Sequence, residues 1–270
     1  MAAAPRVFGW LAAEAFSDAF RRRIVPAIAA LALLSLFFVD TCTSCSPTVV
    51  SDGQPVAVPE IAGAGGLAMM VLLGLWTLVL AGVLAADHLV EPLKDGSAPL
   101  LLSRPVSRES YALARLAGAW AMAAFVGLAV VGAAGVLLAA RQGLGGGPAV
   151  GALAFILVNA LCVAALAMAL SLWLGSTLTS LVVLGAVWGF ASIEVALQLG
   201  GEPSGLLGGL ARFGPPLAAG PLAALSPWLG ANGPPDLHAG WVAVRAVAWA
   251  FGAAILLCVV FRRMELGNRT

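Results

Sequence analysis

Residues 62–86 read AGAGGLAMMVLLGLWTLVLAGVLAA, 25 consecutive positions without one ionisable side chain. About 20 apolar residues in helical form cross a hydrocarbon core of about 30 Å. Bilayer is the solvent this stretch requires. The run closes at Asp87, and Lys94, Arg104, Arg108 and Arg115 follow before the next apolar run. Working outward, comparable runs lie at 24–39, 116–140, 149–174, 181–199 and 241–261. The expected fold class is therefore all-α: a polytopic membrane protein of six transmembrane helices forming one domain over 1–270. The run at 24–39 is the shortest of them.

Composition agrees. Hydrophobic residues make up 61% of the chain and charged residues 10%, where a soluble domain carries roughly 25%. So little charge cannot cover a water-facing surface of this size. The 32 glycines and 16 prolines suit membrane helices, which hold more of both than soluble ones. A net charge of +1 gives no reason to expect a nucleic-acid partner. The lipid bilayer is the expected partner. The first apolar run follows Arg21-Arg22-Arg23 and lacks the form of a cleavable signal peptide.

Lys and Arg set the orientation. With the N-terminus inside, eleven of them face one side and only Arg141, Arg212 and Arg245 face the other. Positive charge is retained on the cytoplasmic side. Both termini are expected in the cytoplasm, with the protein in the inner (plasma) membrane. Residues 1–23 place Phe8, Leu11, Ala12, Ala15 and Ala19 at helical spacing, with Arg6, Glu14, Ser17, Asp18 and Arg21 largely elsewhere on the wheel. That pattern predicts an amphipathic helix lying in the interface.

Residues 200–240 are rich in Gly and Pro. Pro215-Pro216, Pro221 and Pro227 break them too often for a span. Leu206, Leu207, Leu210, Phe213, Leu217, Leu222, Leu225, Trp228 and Leu229 make them too apolar for an ordinary loop. A re-entrant or partly buried outer segment, packed on protein, is expected.

Motifs for soluble chemistry are missing from the sequence. There is no G-x-x-x-x-G-K-[ST] phosphate loop and no G-x-S-x-G elbow. The two histidines, His88 and His238, are expected on opposite sides of the membrane, which gives no metal cluster. No catalytic residue, metal site or bound cofactor is expected on this chain.

The stretch 87–115 carries the most information. Gly96 and Pro99 punctuate a turn. Leu100 to Leu102 form an apolar patch, and Arg104-Pro105 starts an extended bend. Ser107 can cap a helix entering the next span, with Arg108, Tyr111 and Arg115 on one face. A short element with an apolar patch and a basic rim suits docking of a cytoplasmic partner, whereas a solvated loop obeying the positive-inside rule is the plainer alternative.

This stretch resembles the cytoplasmic loop of ABC-2-type transporter permeases. There an acidic residue precedes Gly-Thr, a leucine run, Ser-x-Pro-Val-Ser-Arg, an aromatic and a basic residue. Asp95, Gly96, Leu100 to Ser103, Pro105, Val106, Ser107, Arg108 and Tyr111 match. Ser97 replaces Thr, Arg115 stands where Lys is more usual, and Pro99 departs from the pattern. The match covers about 20 residues. It implies a transmembrane permease subunit, an exporter, pairing with a second permease copy as homodimer or heterodimer and with separate ATPase subunits that bind ATP. Residues Arg21, Arg22, Arg23, Gly96, Leu101, Ser103, Arg104, Pro105, Ser107 and Arg108 would then couple to the ATPase, and 200–240 would help form an external gate.

Two polar residues lie inside spans. Glu194 falls about two-thirds of the way along 181–199. A carboxylate there costs roughly 2.5–3.5 kcal/mol on insertion scales, so it is a candidate for the translocation path. Asn159 is a second candidate, though amides also bridge helices. Trp76, Trp120, Trp173, Trp188, Trp241 and Trp249 are expected as packing or interface anchors. Cys42 and Cys45 flank Thr43-Ser44 just outside the first run, where a disulfide can staple the turn. As a redox pair they would support a different class, a quinone-using membrane thiol oxidoreductase. A non-transporting membrane scaffold is the third alternative.

Overall fold

No charged side chain interrupts Gly147–Leu174, and a helix apolar on every side is a buried or a membrane-spanning one. That helix is the hub of the fold. The computed structural model describes residues 4–21, 49–51, 54–56, 59–98, 106–142, 146–198, 208–209, 212–228 and 238–264, with isolated positions between 26 and 37. Along the chain these form α1 (Ala4–Arg21), β1 (Val49–Ser51), β2 (Gln54–Val56), α2 (Pro59–Lys94), α3 (Arg108–Gln142), α4 (Gly147–Leu174), α5 (Ser176–Gln198), α6 (Ala219–Leu225) and α7 (Ala239–Arg263). Helix α4 packs against α2, α3, α5, α6 and α7. Five helices are long and apolar enough to cross a membrane: α2 from Leu67, then α3, α4, α5 and α7. The protein is membrane-embedded and helical. The sixth expected span, 24–39, lies outside the described residues, as do Cys42 and Cys45.

A small departure from an all-helical chain is the antiparallel pair β1–β2, with Val49 opposite Val56 and Ser51 opposite Gln54. The intervening dipeptide is Asp52-Gly53, a pair favoured in two-residue hairpin connections.

The helices overrun the lengths their apolar runs suggest. Helix α2 continues to Lys94 rather than stopping at 86, and α3 begins at Arg108 rather than 116. The expected loop of 87–115 shrinks to 95–107. The reason is partnership: His88 and Arg115 are 1% and 3% exposed, buried against protein, so neither polar group forces the helix to end. The turn expected over 175–180 is a single residue, Gly175, at φ +76°. The hydroxyls of Thr179 and Ser180 donate to the carbonyls of Gly175 and Ser176 one turn back, so both side chains sit within helix α5.

Close approaches rely on glycine, as is common between membrane helices. At Gly82, α2 leaves no room for a side chain against Val183 of α5 and Val163 of α4. Gly118 of α3 lies against Ala15 and the Ala12 carbonyl of α1. The apolar stripe of α1 is accordingly spent on protein. Leu11, Ala15 and Ala19 are buried against α3, while Trp10 and Phe20, on other faces, stay exposed. Phe8, expected on the stripe, is partly exposed at its rim.

Candidate functional site

Two polar constellations stand out, one at the basic end of the bundle and one at the opposite end.

At the basic end, Arg115 of α3 reaches under α1. Its Nη1 lies 3.2 Å from Asp18 Oδ2 and its Nη2 lies 3.5 Å from Glu14 Oε1. Its guanidinium sits 5.5 Å from the centre of the Tyr111 ring, within range of a cation–π contact. The basic rim expected from Arg108, Tyr111 and Arg115 is thus committed to intramolecular contacts. Tyr111 stacks on Phe261 of α7 with centroids 6.2 Å apart. Arg108 donates to the Met264 carbonyl at 2.9 Å. Glu109 and Arg262 form an exposed ion pair at 3.7 Å.

Local chemistry holds the two ends of the connection 95–107. The Asp95 carboxylate accepts from the Ser97 backbone N–H at 3.0 Å and from its hydroxyl at 2.8 Å. That N–H, and then the hydroxyl, hold the Asp95 carboxyl below the usual carboxylate range. Gly96 takes φ +78° between them, a conformation glycine adopts without steric penalty. Ser107 accepts from the Ser110 N–H at 3.1 Å and caps α3. Leu101, Ser103, Arg104 and Pro105 lie outside the described residues, as do Arg22 and Arg23; Arg21 ends α1 and is exposed. A cavity of about 420 Å³ opens between α1, α2 and α3, with Glu14, Asp18, His88, Glu91, Asp95 and Arg115 among its lining residues.

At the opposite end, the corner 212–219 enters the bundle and α6 follows. Irregular backbone buried away from water needs protein partners for its polar groups, and side chains of the bundle supply several of them here. Glu194 Oε2 accepts from the N–H groups of Ala218 and Ala219 at 2.6 and 3.2 Å. Its other oxygen lies 3.4 Å from Nη2 of Arg245 in α7. Nη1 of Arg245 donates to the Arg212 carbonyl at 2.7 Å, and Trp249 Nε1 donates to the Phe213 carbonyl at 2.7 Å. Asn159 of α4 donates to the Pro216 carbonyl at 2.7 Å. The structure therefore brings Glu194 and Asn159 together on one short segment. Glu194 sits four residues before the end of α5 at Gln198, nearer that end than the sequence suggests.

Sequence reasoning missed Arg245 as the partner of Glu194 and Trp249 as a backbone donor. The available signal was depth. Glu194 lies in the last turns of α5 and Arg245 in the second turn of α7, so an antiparallel reading of the two helices puts both near the same end of the bundle. Among the other tryptophans, Trp120 donates to the Leu157 carbonyl, Trp76 meets Trp188 edge to face at 5.7 Å, and Trp173 and Trp241 are exposed. Cys162 and Cys258 are free thiols, and no cluster of metal-ligating side chains occurs among the described residues.

Comparison with known protein families returns no match, and no curated protein matches the chain.

Proposed function

We propose that this chain is the membrane subunit of an ATP-driven exporter of the ABC-2 type. It would work with a second permease copy and draw force from separate ATPase subunits on the cytoplasmic side. The observation that carries the reading is the stretch from Asp95 to Arg115, whose residues resemble the ATPase-facing loop of that family. What supports it physically is how that stretch is anchored. The Asp95–Ser97 turn and the Ser107 cap fix the two ends of a short connection. The adjacent helix start is fastened to α7 by Arg108 and to α1 by Arg115. A motor can displace a bundle only through an element that does not give way under load. The chain holds no phosphate loop, so nucleotide hydrolysis belongs to the partner.

The test is isolation of the protein from its own membranes with bound chains identified. A chain with nucleotide-hydrolysing motifs should accompany the wild type. Arg108→Glu, still inserted and folded, should lose either that chain or transport-coupled hydrolysis. Absence of any such companion, or labelling of Lys94 from outside intact cells, would overturn the reading.

A further inference from the structure

Helix α7 carries polar attachments at both ends and packs most heavily on α4. At the basic end, Phe261 stacks on Tyr111, Arg262 pairs with Glu109, and the carbonyl of Met264 receives Arg108. All three partners belong to the first turn of α3. At the other end, Arg245 holds both Glu194 and the Arg212 carbonyl, and Trp249 holds the Phe213 carbonyl. From Arg245 to Arg262 the helix runs 17 residues, about 26 Å at 1.5 Å per residue. No proline interrupts it.

Between the grips the buried stripe is narrow and mostly small. It consists of Ala246, Ala250, Ala253 and Leu257. Ala246, Ala250 and Ala253 offer single methyl groups to the core and let α7 lie close on α4, with Leu257 buried one turn further on. The outward positions carry Val244, Phe251, Ile255 and others exposed to the membrane side. Packed helices move past one another by small shear steps when their contacts permit it. An unbroken helix with a narrow, mostly small buried stripe and polar attachments at both ends suits a shift along its axis as one piece, which carries a displacement imposed at one end to the other.

We propose that α7 is a transmission rod that links the first turn of α3 to the re-entrant corner 212–219, with Arg245 and Trp249 as the positioning residues that make the corner follow the helix. The link is mechanical and independent of which cargo or motor the protein serves. Loosening the α3–α7 junction therefore loosens the corner, more than 20 Å away.

Hydrogen exchange on the full chain in lipid nanodiscs tests this. The readout is the protection of the Ala218, Ala219 and Gly220 amides. Phe261→Ala and, with less loss of packing, Arg108→Gln should each speed their exchange by about fivefold, the lower end of couplings between protein sites. Gly118→Leu disturbs the same end of the bundle through α1 and should leave them unchanged. In the reverse direction, Trp249→Phe should raise exchange at the Tyr111 amide. Unchanged corner amides in the folded Arg108→Gln protein would overturn the proposal. Equal acceleration by Gly118→Leu would overturn it as well, because general loosening would then account for the effect.

Discussion

Replacing Glu194 by Ala should destabilise the protein by about 3–5 kcal/mol, the usual loss when one member of a buried charge pair is removed. Both side chains qualify as buried, with Glu194 at 1% and Arg245 at 11% exposure. Two backbone N–H groups also lose their acceptor, at 2.6 and 3.2 Å. Hydrogen bonds to a charged group contribute about 1.5–3 kcal/mol each. These losses share one carboxylate and do not add. Arg245 keeps the Arg212 carbonyl at 2.7 Å, which caps the total. Glu194→Gln retains a neutral acceptor for the amides and should lose only about 1–3 kcal/mol. In the double variant with Arg245→Ala, the two effects should fall short of their sum by about 0.5–3 kcal/mol. Denaturant unfolding in detergent, followed by helix content, measures all three. A residue kept for cargo at the expense of stability would behave in the opposite sense, since removing a strained functional group commonly stabilises. Wild-type or higher stability in Glu194→Ala would therefore refute the clamp and return Glu194 to the translocation path.

Other outcomes follow from the same contacts. Asn159→Ala removes one neutral hydrogen bond inside the membrane region and should cost about 0.6–2 kcal/mol, well under Glu194→Ala, by the same unfolding assay. Gly118→Leu puts a side chain into Ala15 and the Ala12 carbonyl; α1 should lift from α3 and become sensitive to protease, while an unchanged digestion pattern would contradict the contact. The Asp95 carboxyl is held below its ordinary range by Ser97, so its contribution to the turn is complete above the unfolded value near pH 3.9. That contribution disappears as pH falls through the lower folded value. Protection of the Ser97 amide, taken relative to its intrinsic exchange rate at each pH, should therefore fall on acidification below about pH 4 in the wild type and stay flat in Asp95→Asn.

Five of the six expected spans could be read from the sequence because lipid imposes one rule on every residue within it: apolar side chains over a fixed length. Their ends could not. Asp87, His88, Glu91 and Lys94 look like an exit into water, yet they continue α2, because His88 faces a protein-lined cavity beside Arg115. The fate of a charged residue depends on its partner, and the partners are remote. Arg115 meets Asp18 across 97 positions and Glu14 across 101. Glu194 meets Arg245 across 51. Periodicity and spacing report only on neighbours within a few turns. Ser107, by contrast, was legible as a cap because its recipient is three residues away. In the described part of 200–240 the broken character of 212–228 was legible from its prolines; what grips it was not.

The distance between Asp18 and Arg115 along the chain also has a consequence for synthesis. At about 5–20 residues per second, the 97 positions between them take roughly 5–20 s to emerge. For that interval α1 exists without α3, and Glu14 and Asp18 lack the guanidinium of Arg115. The helix must wait at the membrane surface, where exposed Trp10 and Phe20 can hold it near the headgroups. Docking of α1 is thus a late event that waits for Gly118, where α3 lies too close to Ala15 and the Ala12 carbonyl for a side chain.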